Sequence, residues 1–317
     1  MATLITGGAG FIGSQLAKHL LYQGESVVVL DNFNDFYDPA LKRYNVSRLN
    51  TPARLHVVEG DIRDKACIQK VFAEHEITHV AHMAAMANVR NSIKNTPLYT
   101  EVNVNGSVNI LEAASAQGVT QMVMASTGSV YGKTAPIPFV ETDNADRPLA
   151  SYPATKRAME LMAHTYHNLT GLNVTVLRFF NVYGPAGRPD MMPMRLMNAA
   201  LNGAEIPIYN DGAMQRDWTY IEDTVNGILA ALAKPMGYEI FNLGYGQPVN
   251  LNDFVDIVEE LTGKRINKRP TPAPASEPLI TFCDNSKARR LLNFNPQVSV
   301  ADGLKATWEW FREYKQA

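Results

Sequence analysis

Apolar residues along the chain alternate between short runs and longer stretches in which they recur every three or four positions. Short runs bounded by turn residues suit strands buried on both faces, and the wider spacing suits helices with one buried face. Ala2–Thr6, Ser26–Leu30, Arg54–Glu59, Thr78–His82, Gln121–Ala125 and Val174–Phe179 read as six successive strands. Between them lie amphipathic Phe11–Tyr22, a helix beginning near Arg63, Leu98–Gln117 with apolar Val102, Val108, Leu111 and Ala114, and Ser151–Asn168. Phe33–Asn50 reads as a polar and aromatic loop holding one helical turn. Strands alternating with helices imply a parallel, doubly wound α/β sheet.

Past Asn181 the rhythm breaks. Pro185–Pro193 is rich in Gly and Pro, and short elements fill the remainder. Trp218–Ala233 reads as a helix returning to the main sheet, and Pro270–Pro278 as a proline-rich surface loop. The expected organisation is a Rossmann-like body over residues 1–180, joined by about 217–245. A smaller, interleaved C-terminal domain takes 181–216 and 246–317.

Gly7, Gly10 and Gly13 sit between the first strand and the first helix, and Asp31 ends the second strand. Strand, glycine turn, helix, strand and acid form the layout of a dinucleotide-binding unit. Glycines let the backbone approach a pyrophosphate, whose charge suits the helix N-terminus. Asp31 is placed to accept hydrogen bonds from an adenosine ribose and would repel a 2′-phosphate, so NAD is expected rather than NADP. Asp61 after the third strand suits either the adenine edge or the N-cap of the helix near Arg63. Small Ala84 and Ala85 at the end of the fourth strand would let a cofactor ring lie close.

Composition narrows the class. Of the 317 residues, 46% are hydrophobic and 19% charged, as in a folded soluble enzyme. A net charge of −2 carries no footprint for nucleic acid. No run of about 18 apolar residues predicts a membrane span. The N-terminus leads directly into a strand with no signal-like segment. Cys67 and Cys283 stand apart, which fits a reducing, cytoplasmic setting. His75, His79 and His82 have a metal-like spacing, but they fall on a strand with no Cys or acid to complete a site, so no metal is expected. His164 and His167 read as a solvated or interface pair. Met191, Met192, Met194 and Met197 suit either an adaptable lid or core packing. No G-x-S-x-G surrounds Ser126 or Ser129, which argues against a serine hydrolase.

Tyr152 and Lys156 occupy positions i and i+4 at the start of a helix, so both can face one cleft. A nearby ammonium would favour the phenolate, making Tyr152 a usable general base. The alternative for such a pair is a surface Tyr with a solvated Lys.

These features, with Asp61-Ile62, Ala84-Ala85, Asn103-Val104-Asn105-Gly106, Ser126-Thr127 and Phe179-Phe180-Asn181-Val182-Tyr183-Gly184-Pro185, resemble the extended short-chain dehydrogenases/reductases, the sugar-nucleotide epimerases and dehydratases. The resemblance runs along nearly the whole chain. It implies NAD held by Gly7, Gly10, Phe11, Ile12, Gly13, Asp31, Asn32, Asp61, Ile62, Met83, Ala84, Ala85, Asn103, Tyr152, Lys156 and Phe179. It also implies that Tyr152 takes a hydroxyl proton, Lys156 holds the nicotinamide ribose and Thr127 hydrogen-bonds the reacting sugar oxygen. Relatives pair as homodimers through the two long helices, Leu98–Gln117 and Ser151–Asn168.

Dehydratases of this family carry Asp-Glu after the catalytic Thr; here Gly128-Ser129 stands there and cannot shuttle protons in that way. Asp35–Tyr44 and Gly187-Arg188-Pro189-Asp190-Met191 resemble the loops of UDP-glucuronate 4-epimerases. Arg188 would clamp a C6 carboxylate, or instead close its loop onto Asp190. Arg216 would meet the nucleotide diphosphate, or instead pair with Asp217 at the surface. Val89, Arg90 and Asn181 are further substrate candidates. Where relatives place an Arg-x-Gly-Asp-like contact, this chain has Pro274-Ala275-Ser276-Glu277. The expected reaction is C4 epimerisation of a UDP-sugar, UDP-glucuronate to UDP-galacturonate. The alternatives are UDP-glucose 4-epimerisation, UDP-glucuronate decarboxylation and nucleotide binding without catalysis.

Overall fold

The computed structural model describes residues 1–317 except Asn50, Pro52, Thr134, Ala275 and Ala317. Its strands, in chain order, are β1 (Ala2–Thr6), β2 (Val27–Asp31), β3 (Leu55–Glu59), β4 (Ile77–His82), β5 (Gln121–Thr127), β6 (Val174–Phe179), β7 (Asn181–Tyr183), β8 (Ile206–Tyr209), β9 (Gln215–Tyr220), β10 (Tyr238–Leu243), β11 (Pro248–Asn250), β12 (Lys268–Thr271) and β13 (Ile280–Thr281). Seven of them form one sheet in the order β10-β6-β5-β4-β1-β2-β3, every pair parallel. Strand order reverses between β1 and β4, which opens a crevice at their carboxyl ends, where such sheets bind ligands. The expected α/β class and its six leading strands are present.

Helices cover both faces of this sheet, so its central strands are buried throughout. Leu4, Ile5, Val27, Val28, Val29, Met122, Val123, Met124, Val174 and Val176 are fully enclosed, as a two-faced parallel sheet requires. The edge strands are the exception: every residue of β3 and the first three of β10 are half-buried or exposed.

The chain leaves the main sheet at Phe180. β9 then pairs with β7 and β13 in parallel and with β11 antiparallel, while β8 and β12 form a separate pair. Trp218 stacks on Phe254 at 4.3 Å, and Tyr183 packs edge-on against both Trp218 and Tyr220. Asp217 ties the layers together by accepting backbone N–H bonds from Tyr245, Gly246 and Cys283. Burial pushes its carboxyl up to about 6 in spite of those donors.

Several local expectations are corrected. Trp218–Ala233 is not one helix: Trp218, Thr219 and Tyr220 end β9, and the helix is Ile221–Leu232. An aromatic and β-branched run at a helix start fits a strand equally well. The Phe33–Asn50 loop contains a full helix, Pro39–Ser47, whose N-cap Asp38 accepts from Ala40 N–H; Asn50 lies outside the described residues. Asp-Pro at a helix start is a signal that its weak apolar pattern had hidden. The next helix is Lys65–Glu74 and is capped by Asp64, not Asp61. Leu98–Gln117 becomes Thr96–Ala116, interrupted by a π-helical turn at Glu101–Gly106. Within Pro270–Pro278, Pro270 and Thr271 belong to β12, and Ala275 lies outside the described residues. His164 is exposed and His167 half-buried, and both rings pack on Tyr238.

Candidate active site

The crevice holds two hollows that meet. The first lies at the ends of β1, β2 and β4. Gly7 turns there with φ of +66°, and a Cβ on it would sit 2.7 Å from the Ala84 backbone. A Cβ on Gly13 would fall 2.3 Å from Gly7 O, so only glycine allows the turn to close on the helix. Helix Phe11–Tyr22 starts at Gly10 with no side-chain cap, which leaves its first N–H groups for an anion.

Asp31 lines this hollow and accepts hydrogen bonds from Ala9 N, Phe33 N and Lys42 Nζ. Lys42 is buried with it at 3.2 Å. The unforeseen helix Pro39–Ser47 supplies this lysine, and it supplies Asn45, which donates to Ala9 O at 3.1 Å. That helix therefore braces the glycine turn from behind.

Gly7, Gly10, Phe11, Ile12, Gly13, Asp31, Asn32, Asp61, Ile62, Met83, Ala84, Ala85, Tyr152, Lys156 and Phe179 all border the first hollow. Asp61 accepts from Asn32 and Arg63, and the Arg63 bond holds its carboxyl down at about 2. Asn103 does not border the hollow. Its amide donates to Met86 O and Thr155 Oγ1 and accepts from Met86 N, so it ties the strand-β4 loop to the helix carrying Tyr152. Its π-helical turn faces it inward, a feature no residue spacing signals. Tyr37, Lys42 and Arg188 also border the hollow and were not foreseen there.

The second hollow is bordered by Val89, Arg90, Thr127, Asn181, Arg188 and Arg216, all the substrate candidates. Arg188 is held by Asp190, Nε to Oδ1 at 2.9 Å and Nη2 to Oδ2 at 3.1 Å, and Asn88 donates to the same Asp190 oxygen. Loop closure, one of the two roles open to Arg188, is thus realised. It also lies over the Phe36 ring at 5.8 Å. Arg216 does not pair with Asp217, which is buried; it donates to Glu277 at 3.0 Å. Arg90 donates to the Tyr209 hydroxyl at 2.8 Å. Met191 and Met192 line the hollow, whereas Met194 and Met197 pack in the core.

Phe11, Ser126, Tyr152, Phe179 and Arg188 stand in the walls of both hollows. Tyr152 and Lys156 come from the first turns of helix Ser151–Thr170. Burial raises the Tyr152 phenol above its ordinary value, opposed by the Arg188 charge and then by the Thr127 hydroxyl. Arg188 is thus a cation that favours its ionisation, one that the i, i+4 spacing did not point to. Lys156 is buried beside Met159 Sδ, and burial lowers its ammonium to about 8 while Glu160 opposes the shift.

All three metal-like histidines have other partners, His79 Nδ1 lying 3.0 Å from Thr78 Oγ1. His82 is buried between Thr6 and Ser107, and burial, then the Lys156 charge, holds it down at about 3. His75 packs on the His56 ring. Among the described residues no group of three or more His, Cys, Asp or Glu could hold a metal ion, and no helix is long and apolar enough to cross a membrane.

A family model, NAD dependent epimerase/dehydratase family, matches residues 3–244. The UDP-glucuronate 4-epimerase of Thermodesulfobacterium geofontis is 41% identical over 311 residues, 98% of this chain and 96% of its own length. The crystal structure of UDP-glucuronic acid 4-epimerase from Bacillus cereus, in complex with UDP-glucuronic acid and NAD, superposes with a TM-score of 0.92. It is 34% identical and covers 99% of this chain and 100% of its own. The UDP-glucose 4-epimerase of Thermus thermophilus, in complex with NAD, has a TM-score of 0.88 at 31% identity, covering 98% and 99%.

Proposed function

The chain belongs to the NAD dependent epimerase/dehydratase family, and we propose that it inverts C4 of a UDP-sugar, converting UDP-glucuronate to UDP-galacturonate. The observation that carries this reading is the shared wall: Tyr152 borders both the cofactor hollow and the sugar hollow. The glycine cradle, the uncapped helix N-terminus and the Asp31 carboxylate fit NAD.

NAD, held by the glycine turn and Asp31, would supply a reversible hydride acceptor for C4. The chain's own residues do the rest. Tyr152 takes the C4 hydroxyl proton and gives it back. Thr127 donates to the reacting oxygen, and Lys156 orients the nicotinamide ribose. Gly128 and Ser129 offer no acid–base pair for dehydration, so the sugar leaves with its atoms intact. Arg216 and Arg90 meet the diphosphate. Glu277 now engages Arg216 and must yield that donor.

Arg188 selects the acidic sugar. Asp190 occupies its Nε and Nη2, and Nη1 takes no partner among the described residues. A C6 carboxylate would meet that free edge. Oxidation at C4 makes a β-keto acid, which loses CO₂ readily unless its carboxylate is held. The closed Arg188–Asp190 pair is the observation that favours the neutral-sugar alternative, UDP-glucose 4-epimerisation, because a hydroxymethyl group asks nothing of the arginine.

Turnover of both UDP-sugars, with product identification, separates the two. UDP-galacturonate from UDP-glucuronate is the expected result; turnover of UDP-glucose alone would put the neutral-sugar reading in its place. Arg188→Ala refines the test. A charge-assisted hydrogen bond contributes about 1.5–3 kcal/mol, so the preference for UDP-glucuronate over UDP-glucose should fall by roughly ten- to a hundredfold. Some loss will be common to both sugars, because Arg188 also acts on Tyr152. An equal loss on both would make Arg188 a loop-closing residue only.

The division into a cofactor body, residues 1–180 joined by about 217–245, and a sugar-binding part, 181–216 with 246–317, belongs to the same reading. The protein is also proposed to pair with a second copy in the cytoplasm. Leu161, Met162 and Leu169 on helix Ser151–Thr170 expose 52%, 39% and 73% of their surfaces, an apolar face suited to a bundle with Thr96–Ala116 and their symmetry mates. Light scattering should give twice the 35.0 kDa chain mass, and Leu161→Glu should yield monomers. A monomeric wild type at micromolar concentration would reject the dimer.

A further inference from the structure

Ser126 and Thr127 are adjacent hydroxyls at the end of β5, and their hydrogen bonds run in opposite senses. Thr127 Oγ1 accepts the Ser129 N–H at 3.2 Å. Its own hydrogen remains for the cleft, where it favours the ionised Tyr152 phenol. Ser126 Oγ lies 2.5 Å from Glu160 Oε1, a distance typical of a hydroxyl donating to a carboxylate.

Glu160 can only accept at that contact. Arg178 donates to it through Nε and Nη2 at 3.0 and 2.7 Å, and Arg157 donates from the other side at 3.0 Å. Both Glu160 and Arg178 are enclosed, with side-chain exposures of 0% and 1%. A hydroxyl has one hydrogen and two lone pairs, so Ser126 has spent its donor and keeps acceptor capacity. Tyr152, Lys156 and Glu160 recur at four-residue spacing on one helix face. The carboxylate therefore sits two turns below the phenol, under the wall that Ser126 shares with both hollows.

Resting on the epimerase reading above, we propose that Ser126 is a ligand-binding residue, an obligate acceptor for an N–H or O–H of the bound cofactor or sugar. Glu160 is the positioning residue that commits it to that role. Thr127 and Ser126 then form a donor–acceptor pair along the cleft floor, and neither hydroxyl can exchange its sense with the other. The buried Glu160–Arg178 pair has a use beyond stability, for which buried ion pairs are weak evidence.

The test compares Ser126→Ala with wild type in two arms: NAD affinity of stripped, reconstituted protein, and kcat/KM on UDP-glucuronate at saturating NAD. Loss of one neutral hydrogen bond predicts a roughly three- to tenfold drop. A drop in NAD affinity names the cofactor as donor, and a drop only in kcat/KM names the sugar. Ser126→Thr, which keeps a hydroxyl, should recover most of the loss. An active wild type with Ser126→Ala unchanged in both arms would overturn the proposal, even if that variant melts earlier. A wild type inactive on UDP-sugars would instead sink the reading beneath it.

Glu160→Gln frees the Ser126 hydroxyl to rotate. It should lower the same arm, and adding Ser126→Ala should cause no further loss. Glu160→Asp keeps the charge against the arginines while withdrawing from Ser126, and it carries this arm if the glutamine variant does not fold. Independent, multiplicative losses would show that Glu160 does not act through Ser126.

Discussion

Tyr152→Phe should lower turnover by two to four orders of magnitude, the usual contribution of a general base, with circular dichroism unchanged. The substitution removes one oxygen from a cleft wall and leaves the ring packed against Tyr99. The pH profile carries a second expectation. Burial raises the phenol, and Arg188, then Thr127, pull it back down. A base must be ionised to work, so wild-type turnover should climb with pH until the phenolate is formed. Removing either opposing group raises the phenol further, so Arg188→Ala and Thr127→Val should move that climb to higher pH. Turnover of Tyr152→Phe within tenfold of wild type would hand the proton to another residue.

Lys156→Met should abolish turnover to a similar degree and yet stabilise the cofactor-stripped protein. Burial lowers the Lys156 ammonium from 10.5 to about 8, and one pKa unit corresponds to about 1.4 kcal/mol. The enclosed charge therefore costs about 3 kcal/mol at neutral pH, already net of what Glu160 returns. The sign follows from linkage: between about 8 and 10.5 the unfolded chain binds the proton that the folded one has lost. The penalty is fully present below pH 8 and fades as pH rises towards 10.5. Thermal unfolding of stripped protein should show the variant ahead at pH 7 and the gap closing in alkali. A variant that melts earlier at pH 7 would mean that Glu160 compensates the charge in full. With NAD bound the gap should narrow, because the ammonium then has a ribose to hold.

Much of the site could be read along the chain. Gly7, Gly10 and Gly13 announce a turn because only their spacing and lack of a Cβ permit it. Asp31 follows from the strand it ends. Tyr152 and Lys156 share a cleft because four residues make about one helical turn. All of these are relations between near neighbours, where backbone geometry leaves few options. Elsewhere local preference is ambiguous: Trp218–Tyr220 suit a strand as well as a helix start, and Pro39–Ser47 has too weak an apolar face to announce itself.

Partners are less legible still. Lys42 meets Asp31 because a surface helix folds over the glycine turn, and Glu277 reaches Arg216 from 61 residues away. Glu160 lies under Ser126 across 34 residues, because helix Ser151–Thr170 packs on the sheet at that register. Even Arg188 and Asp190, two residues apart, could have faced solvent or sugar until the loop closed. The type and place of each chemical group follow from the order of residues. Which charge neutralises which, and whether a lysine or an arginine sets the Tyr152 phenol, depends on burial and on distances between strand ends, and packing alone sets those.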